Sequence, residues 1–71
     1  VRVNCLAPGA VEGTMHRRVM ARLPGAAGAA YEQRHPLGVA SPEQVAAAAL
    51  WLLDAKQITG VVLPVDGGLT A

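Results

Sequence analysis

Asn4-Cys5-Leu6-Ala7-Pro8-Gly9 carries the clearest binding chemistry of the chain. Val1-Arg2-Val3-Asn4 alternates and reads as the end of a β-strand. Pro8-Gly9 then turns the backbone and leaves it bare of side chains, so that main-chain N–H and C=O groups can approach a flat ligand. The remaining reactive residue types are scattered. His16 and His35 lie far apart, with no cysteine or carboxylate at ligand spacing, so no metal site is assigned. Tyr31 reads as packing or surface, Cys5 as a small buried apolar residue, and Asp66 before Gly67-Gly68 as a turn organiser. His16, Arg17, Arg18 and Arg22 would suit an anionic substrate, although such clusters more often form a solvated helix face. Gly9, Gly13 and Thr14 lack the lysine and glycine spacing of a phosphate loop. Met15, Met20 and Leu23 suit either an apolar substrate pocket or helix packing.

These residues must be held by a strand–helix–strand order. Ile58 to Gly68 reads as a second strand ending on Val65-Asp66-Gly67-Gly68, with Thr59-Gly60 as the turn before it. The order is that of the βαβ unit of a parallel α/β sheet. Thr14 to Leu23 places Met15, Val19, Met20 and Leu23 on one broad helical face, and Pro24-Gly25 stops it. Residues 25–34 fit a second short helix or a mobile loop equally well, and His35-Pro36-Leu37-Gly38 is a loop. Ser41-Pro42-Glu43-Gln44 opens the best-marked helix, with Ser41 as N-cap, Pro42 in the first turn and Gln44 placed to close a capping box. This helix is expected to run to Leu53 or Asp54. Val45, Ala49, Leu52 and Leu53 form a core-facing stripe, while Leu50 and Trp51 fall off it toward another helix or subunit. Pro64 lacks a ladder donor and marks an edge strand.

Composition narrows the class. Of the 71 residues 52% are hydrophobic, which argues against disorder. A net charge of +1 implies neither nucleic acid nor an anionic membrane surface as partner. The single cysteine fits a reducing, cytoplasmic setting, and the apolar run from Val45 to Leu53 is too short to span a bilayer. The chain opens inside an expected strand without Met, and two strands leave a sheet face and an edge unpaired. It is therefore expected to be a piece of a longer protein, unstable alone.

Taken in order, Val1-Arg2-Val3-Asn4 with Pro8-Gly9, Ser41-Pro42-Glu43-Gln44-Val45-Ala46, and Ile58-Thr59-Gly60 through Val65-Asp66-Gly67-Gly68 resemble the C-terminal part of the short-chain dehydrogenase/reductase family. The resemblance covers nearly the whole chain. It implies an α/β fold: the C-terminal part of a Rossmann-type doubly wound parallel sheet, with its last two strands plus lid and crossover helices. Residues 1–14 would be strand end and cofactor loop, 15–40 the substrate lid, and 41–71 the last helix and edge strand of one NAD(P)-binding domain.

The resemblance also implies function. Pro8 and Gly9 would border the nicotinamide of NAD or NADP, Val11 would bond its carboxamide through the backbone, and Met15 would face substrate. Thr14 would add a hydroxyl contact. It stands one place later than in the family, where threonine then proline is usual and this chain has Gly13-Thr14-Met15, so its reach depends on the loop repacking around Gly13. A second departure is Gly38-Val39-Ala40-Ser41, which lacks the arginine many members carry and reads as a change of lid packing. The family's catalytic tyrosine with a lysine four residues on has no counterpart here: His35 stands four residues after Tyr31. No catalytic residue is assigned. The expected activity is that of an NAD(P)-dependent oxidoreductase interconverting an alcohol and a ketone or aldehyde by hydride transfer, completed by the rest of the same chain. Residues 42–65 would meet a second copy in a homo-oligomer such as a homotetramer. The alternative is a non-catalytic Rossmann-fold binding or assembly module. Replacing Gly9 by a β-branched residue is expected to weaken cofactor binding more than it unfolds the protein.

Overall fold

The computed structural model describes residues 1–71 as two strands and three helices in the order β1 (Cys5–Pro8), α1 (Thr14–Arg22), α2 (Ala27–Gln33), α3 (Pro42–Asp54) and β2 (Val62–Val65). The strands pair in parallel, Cys5 with Val62 through Pro8 with Val65. Cys5 donates to the Val61 carbonyl at 2.9 Å and Gly9 to that of Val65 at 3.2 Å. The odd-numbered residues of β2 therefore face β1, and Pro64, which has no N–H to give, faces outward where no ladder bond is needed.

The first strand begins later than the sequence predicts. Val1 to Asn4 make no ladder because their opposite segment bends at Gly60, whose φ of 74° is a glycine conformation. One main-chain bond, from the Gly60 N–H to the Val3 carbonyl at 2.8 Å, and several side chains hold the segment there. Asn4 accepts from the Val61 N–H and donates to the Ile58 carbonyl, both at 3.0 Å, and the Thr59 hydroxyl accepts from the Val3 N–H at 3.1 Å. The ladder starts at Cys5 and runs through Pro8, so the bend begins at Gly9. Cys5, expected to be buried, is exposed: it points to the sheet face opposite Leu6, which this chain leaves uncovered.

α3 begins as its sequence dictates. The Ser41 hydroxyl accepts from the Gln44 N–H at 3.2 Å, and the Gln44 side chain accepts from the Ser41 N–H at 2.9 Å. Its other end carries no basic residue of its own. Arg2, fifty residues away in sequence, supplies one: its guanidinium donates to the carbonyls of Leu52 and Ala55 at 3.0 Å, Leu53 at 2.6 Å and Ile58 at 3.3 Å. A delocalised cation there satisfies the otherwise unpaired Leu53 carbonyl, adds a second bond to carbonyls that already accept from Ala55, Ile58 and Asn4, and opposes the negative end of the helix dipole.

Little of this chain is interior. Five residues are buried: Ala10, Gly28, His35, Leu52 and Asp66. Val45 and Ala49 are half-buried, but Leu53, expected in the core stripe, is exposed, as are Leu50, Trp51 and Val62. The accessible area of 5250 Å² exceeds the roughly 4,200 Å² of a folded monomer of 7.3 kDa. The radius of gyration, 14.0 Å, exceeds the about 11 Å of a compact domain of this length. The alanine-rich segment, left open between helix and loop, is helical as α2, without a side-chain cap.

Candidate functional site

Three bends meet at the carboxyl ends of the strands. The first is Gly9-Ala10-Val11 after β1, the second His35 to Gly38 after α2, the third Asp66-Gly67-Gly68 after β2. The second is tied to the third by the Leu37 N–H, which donates to the Gly67 carbonyl at 2.8 Å. The backbones approach so closely that a Cβ on Gly67, itself at a φ of 60°, would lie 2.6 Å from the Gly38 oxygen. Asp66 closes its own turn. Its carboxylate accepts from the Thr70 hydroxyl at 2.6 Å and from the Gly68 N–H at 3.1 Å. The Thr70 hydrogen bond, foremost, holds its pKa below the ordinary carboxylate value.

His35 joins the first bend to α2. The Nε2 atom accepts from the Ala10 N–H at 3.1 Å, and Nδ1 lies 3.1 Å from the Tyr31 carbonyl. A carbonyl only accepts and a backbone N–H only donates, so the ring is neutral with its proton on Nδ1. Tyr31 packs edge-on to it, with ring centres 5.2 Å apart. A Cβ on Gly9 would lie 2.9 Å from both His35 Nε2 and Asp66 Cβ. Glycine is required because two neighbours occupy the space of a side chain there. The bare side of Gly9 serves packing, so a larger residue there would disturb its neighbours whatever it does to a ligand.

Beyond the bend, Val11 pairs with Ala40 in a single parallel bridge. The Ala40 N–H donates to the Ala10 carbonyl at 3.1 Å, and the Glu12 N–H donates to the Ala40 carbonyl at 2.8 Å. Main-chain direction alternates along an extended segment, so the Val11 N–H and C=O point the other way. Neither takes part in any hydrogen bond of the chain. Val11 also lines a cleft of about 340 Å³, walled by Pro8, Gly9, Ala10 and Val11 and by Met15, His16, Val19 and Tyr31 from α1 and α2. His16 is the one ionisable side chain of the α1 wall, and it is 3.5 Å from Glu32 of α2.

Of the residues singled out from the sequence, Pro8, Gly9, Val11 and Met15 come together on this cleft. Thr14 stands apart: it is exposed, and its hydroxyl accepts from Arg17 at 3.3 Å. His35 was not singled out, and its partner Ala10, 25 residues away, leaves no local signal. The described residues contain no cluster fit for a metal ion, and no helix is long and apolar enough to cross a membrane.

In open α/β sheets ligands bind in the crevice outside the carboxyl ends of the strands, which is where these bends lie. Residues 1–70 match the family model described as enoyl-(acyl carrier protein) reductase, and the chain belongs to the short-chain dehydrogenase/reductase family, with a Rossmann-like fold. It is 45% identical over 73 residues to 3beta-hydroxysteroid dehydrogenase 1 of Eggerthella lenta, a match covering 99% of this chain and 27% of that protein. It is 40% identical over 72 residues to a 3-oxoacyl-(acyl-carrier-protein) reductase of Chlamydia muridarum, covering 97% of this chain and 27% of the relative. A 2,5-dichloro-2,5-cyclohexadiene-1,4-diol dehydrogenase of Sphingobium indicum is 42% identical over 74 residues, which is 100% of this chain and 29% of the relative. The chain thus spans under a third of the length of these relatives.

Proposed function

We propose that this chain forms the nicotinamide-facing wall and substrate cover of an NAD(P)-dependent oxidoreductase that interconverts an alcohol and a ketone or aldehyde. The observation that carries this reading is the Val11 peptide. Its N–H and C=O are free and face away from Ala40, and the residue lines the cleft at the strand mouths. A carboxamide offers the complementary acceptor and donor, so the residues present fit a nicotinamide. The group supplies the hydride when bound; the chain's own part is to seat and orient its amide and to exclude water.

Pro8 and Gly9 border the ring in this reading, and Met15 with Val19 closes an apolar wall over substrate. Residues 15–40 cover the site. The cleft volume lies within the roughly 300–1,000 Å³ of small-molecule sites, toward the lower end. Thr14 contributes to the cofactor only if the loop moves, since its hydroxyl is held by Arg17. The acid–base chemistry comes from the rest of the same chain. Residues 42–65 meet a second copy through the exposed Leu50, Trp51 and Val62, and the enzyme acts in the cytoplasm.

The test is fluorescence titration of the full-length protein with NADH and NADPH, followed by steady-state turnover of a panel of secondary alcohols. Saturable binding of at least one dinucleotide with turnover is expected. No binding of either would remove the reading, and binding without turnover would favour a non-catalytic module.

A further inference from the structure

We propose that His35 is a positioning residue for the nicotinamide amide, acting through the main chain of the Gly9-Ala10-Val11 bend. This rests on the cofactor reading above and deepens it. His35 is 3% exposed, and both its ring nitrogens are spent on backbone groups from separate parts of the chain. No other side chain bonds the bend: Ala10 gives its N–H to His35, and its carbonyl accepts from Ala40.

The consequence falls on the next peptide. With the Ala10 N–H held by His35 and its carbonyl held by Ala40, the segment is fixed in rotation about its own axis. Alternation then turns the Val11 N–H and C=O away from Ala40, at a residue that lines the cleft. Without an acceptor at Nε2, the buried Ala10 N–H would be unpaired, at a cost that favours rotation of the bend toward another partner. That rotation would change the direction in which the free Val11 pair points. His35 is held in turn by the Tyr31 carbonyl, and the Gly38 N–H donates to its own carbonyl at 2.8 Å, so its acceptor atom has little freedom.

The experiment uses the full-length enzyme and two ligands, the reduced dinucleotide and ADP-ribose, which lacks the nicotinamide. His35→Leu and His35→Phe remove the acceptor, the latter keeping a ring against Tyr31; His35→Gln keeps an acceptor oxygen. Both apolar variants are expected to bind the reduced dinucleotide about tenfold more weakly, the loss of roughly one net hydrogen bond. They should bind ADP-ribose as the wild type does, and the glutamine variant should recover most of the dinucleotide affinity. Equal weakening of both ligands, or of neither, would overturn the assignment. So would failure of both apolar variants to fold while His35→Gln folds and binds normally, which would make the residue purely structural. If the wild type itself binds no dinucleotide, the cofactor reading falls and this one with it. Wild-type binding with unselective variants removes this inference alone.

Discussion

Arg2 and Leu53 are joined by a guanidinium-to-carbonyl hydrogen bond of 2.6 Å, the shortest of four that seal the carboxyl end of α3. One residue at the start of the chain thus fixes where the crossover helix ends relative to the sheet. Arg2→Ala is expected to destabilise the full-length protein by about 1–3 kcal/mol, from lost charge-assisted bonds and dipole compensation at a solvent-exposed site. Arg2→Lys should recover less than half, because a single ammonium cannot span the four carbonyls. Denaturant midpoints of the three proteins check both statements, and a neutral Arg2→Ala would show the cap to be energetically idle.

Gly9 and Gly28 make a controlled pair. A Cβ on Gly9 meets Asp66 backbone at 3.0 Å as well as His35 and the Asp66 side chain, whereas one on Gly28 meets only the far methyl of Met20, at 2.8 Å. Backbone cannot yield and a thioether methyl can. Gly9→Ala is expected to lower stability by about 1–3 kcal/mol and to weaken dinucleotide binding. Gly28→Ala should change either only slightly. Thermal midpoints with and without dinucleotide measure this, and equal effects at both positions would contradict the packing assigned to the bend.

Asp66 links stability to acidity. Its pKa in the folded state is depressed, first by the Thr70 hydroxyl and then by the Gly68 N–H. A depressed carboxylate pKa contributes stability that is fully present above the unfolded value, 3.8, and is lost as pH falls through the folded one. Thr70→Val removes the largest cause. The wild type should therefore exceed the variant in stability above the unfolded value of 3.8, and the gap should narrow as pH falls through the depressed folded value. Urea midpoints across that range test the sign; a gap widening on acidification would refute it.

Trp51 is 56% exposed on α3, beside Leu50 at 63%. Large exposed apolar groups on one helix favour association. Trp51→Glu is expected to yield a smaller species in sedimentation velocity. Ser41→Ala, which loses only the N-cap of the same helix at a cost of about 1 kcal/mol, should keep the wild-type assembly. An unchanged sedimentation coefficient for Trp51→Glu would remove α3 from the contact.

What the sequence made legible follows the range of the interactions. The start of α3 is written in four consecutive residues, because a capping box closes within one turn, and its end at Asp54 follows from the apolar pattern. The first strand is misplaced by its sequence because a ladder exists only where the opposite segment is straight, and the Gly60 bend is fifty-odd residues away. The bend itself was readable from Pro8-Gly9. Why it holds its shape was not, because His35, Asp66 and Ala40 reach it from distant segments. Nor could Leu53 be seen to be exposed, since helical periodicity names a face without saying how far along it the covering layer extends.

The Leu37–Gly67 main-chain bond has a further consequence. It moors the far shore of the cover to the sheet without using any side chain of α1 or α2. Those two short helices can then exchange their residues, Met15 and Val19 among them, while the Gly9-Ala10-Val11 bend keeps its shape. The lining of the cleft can drift or be redesigned there as an independent module, without disturbing the strand mouths.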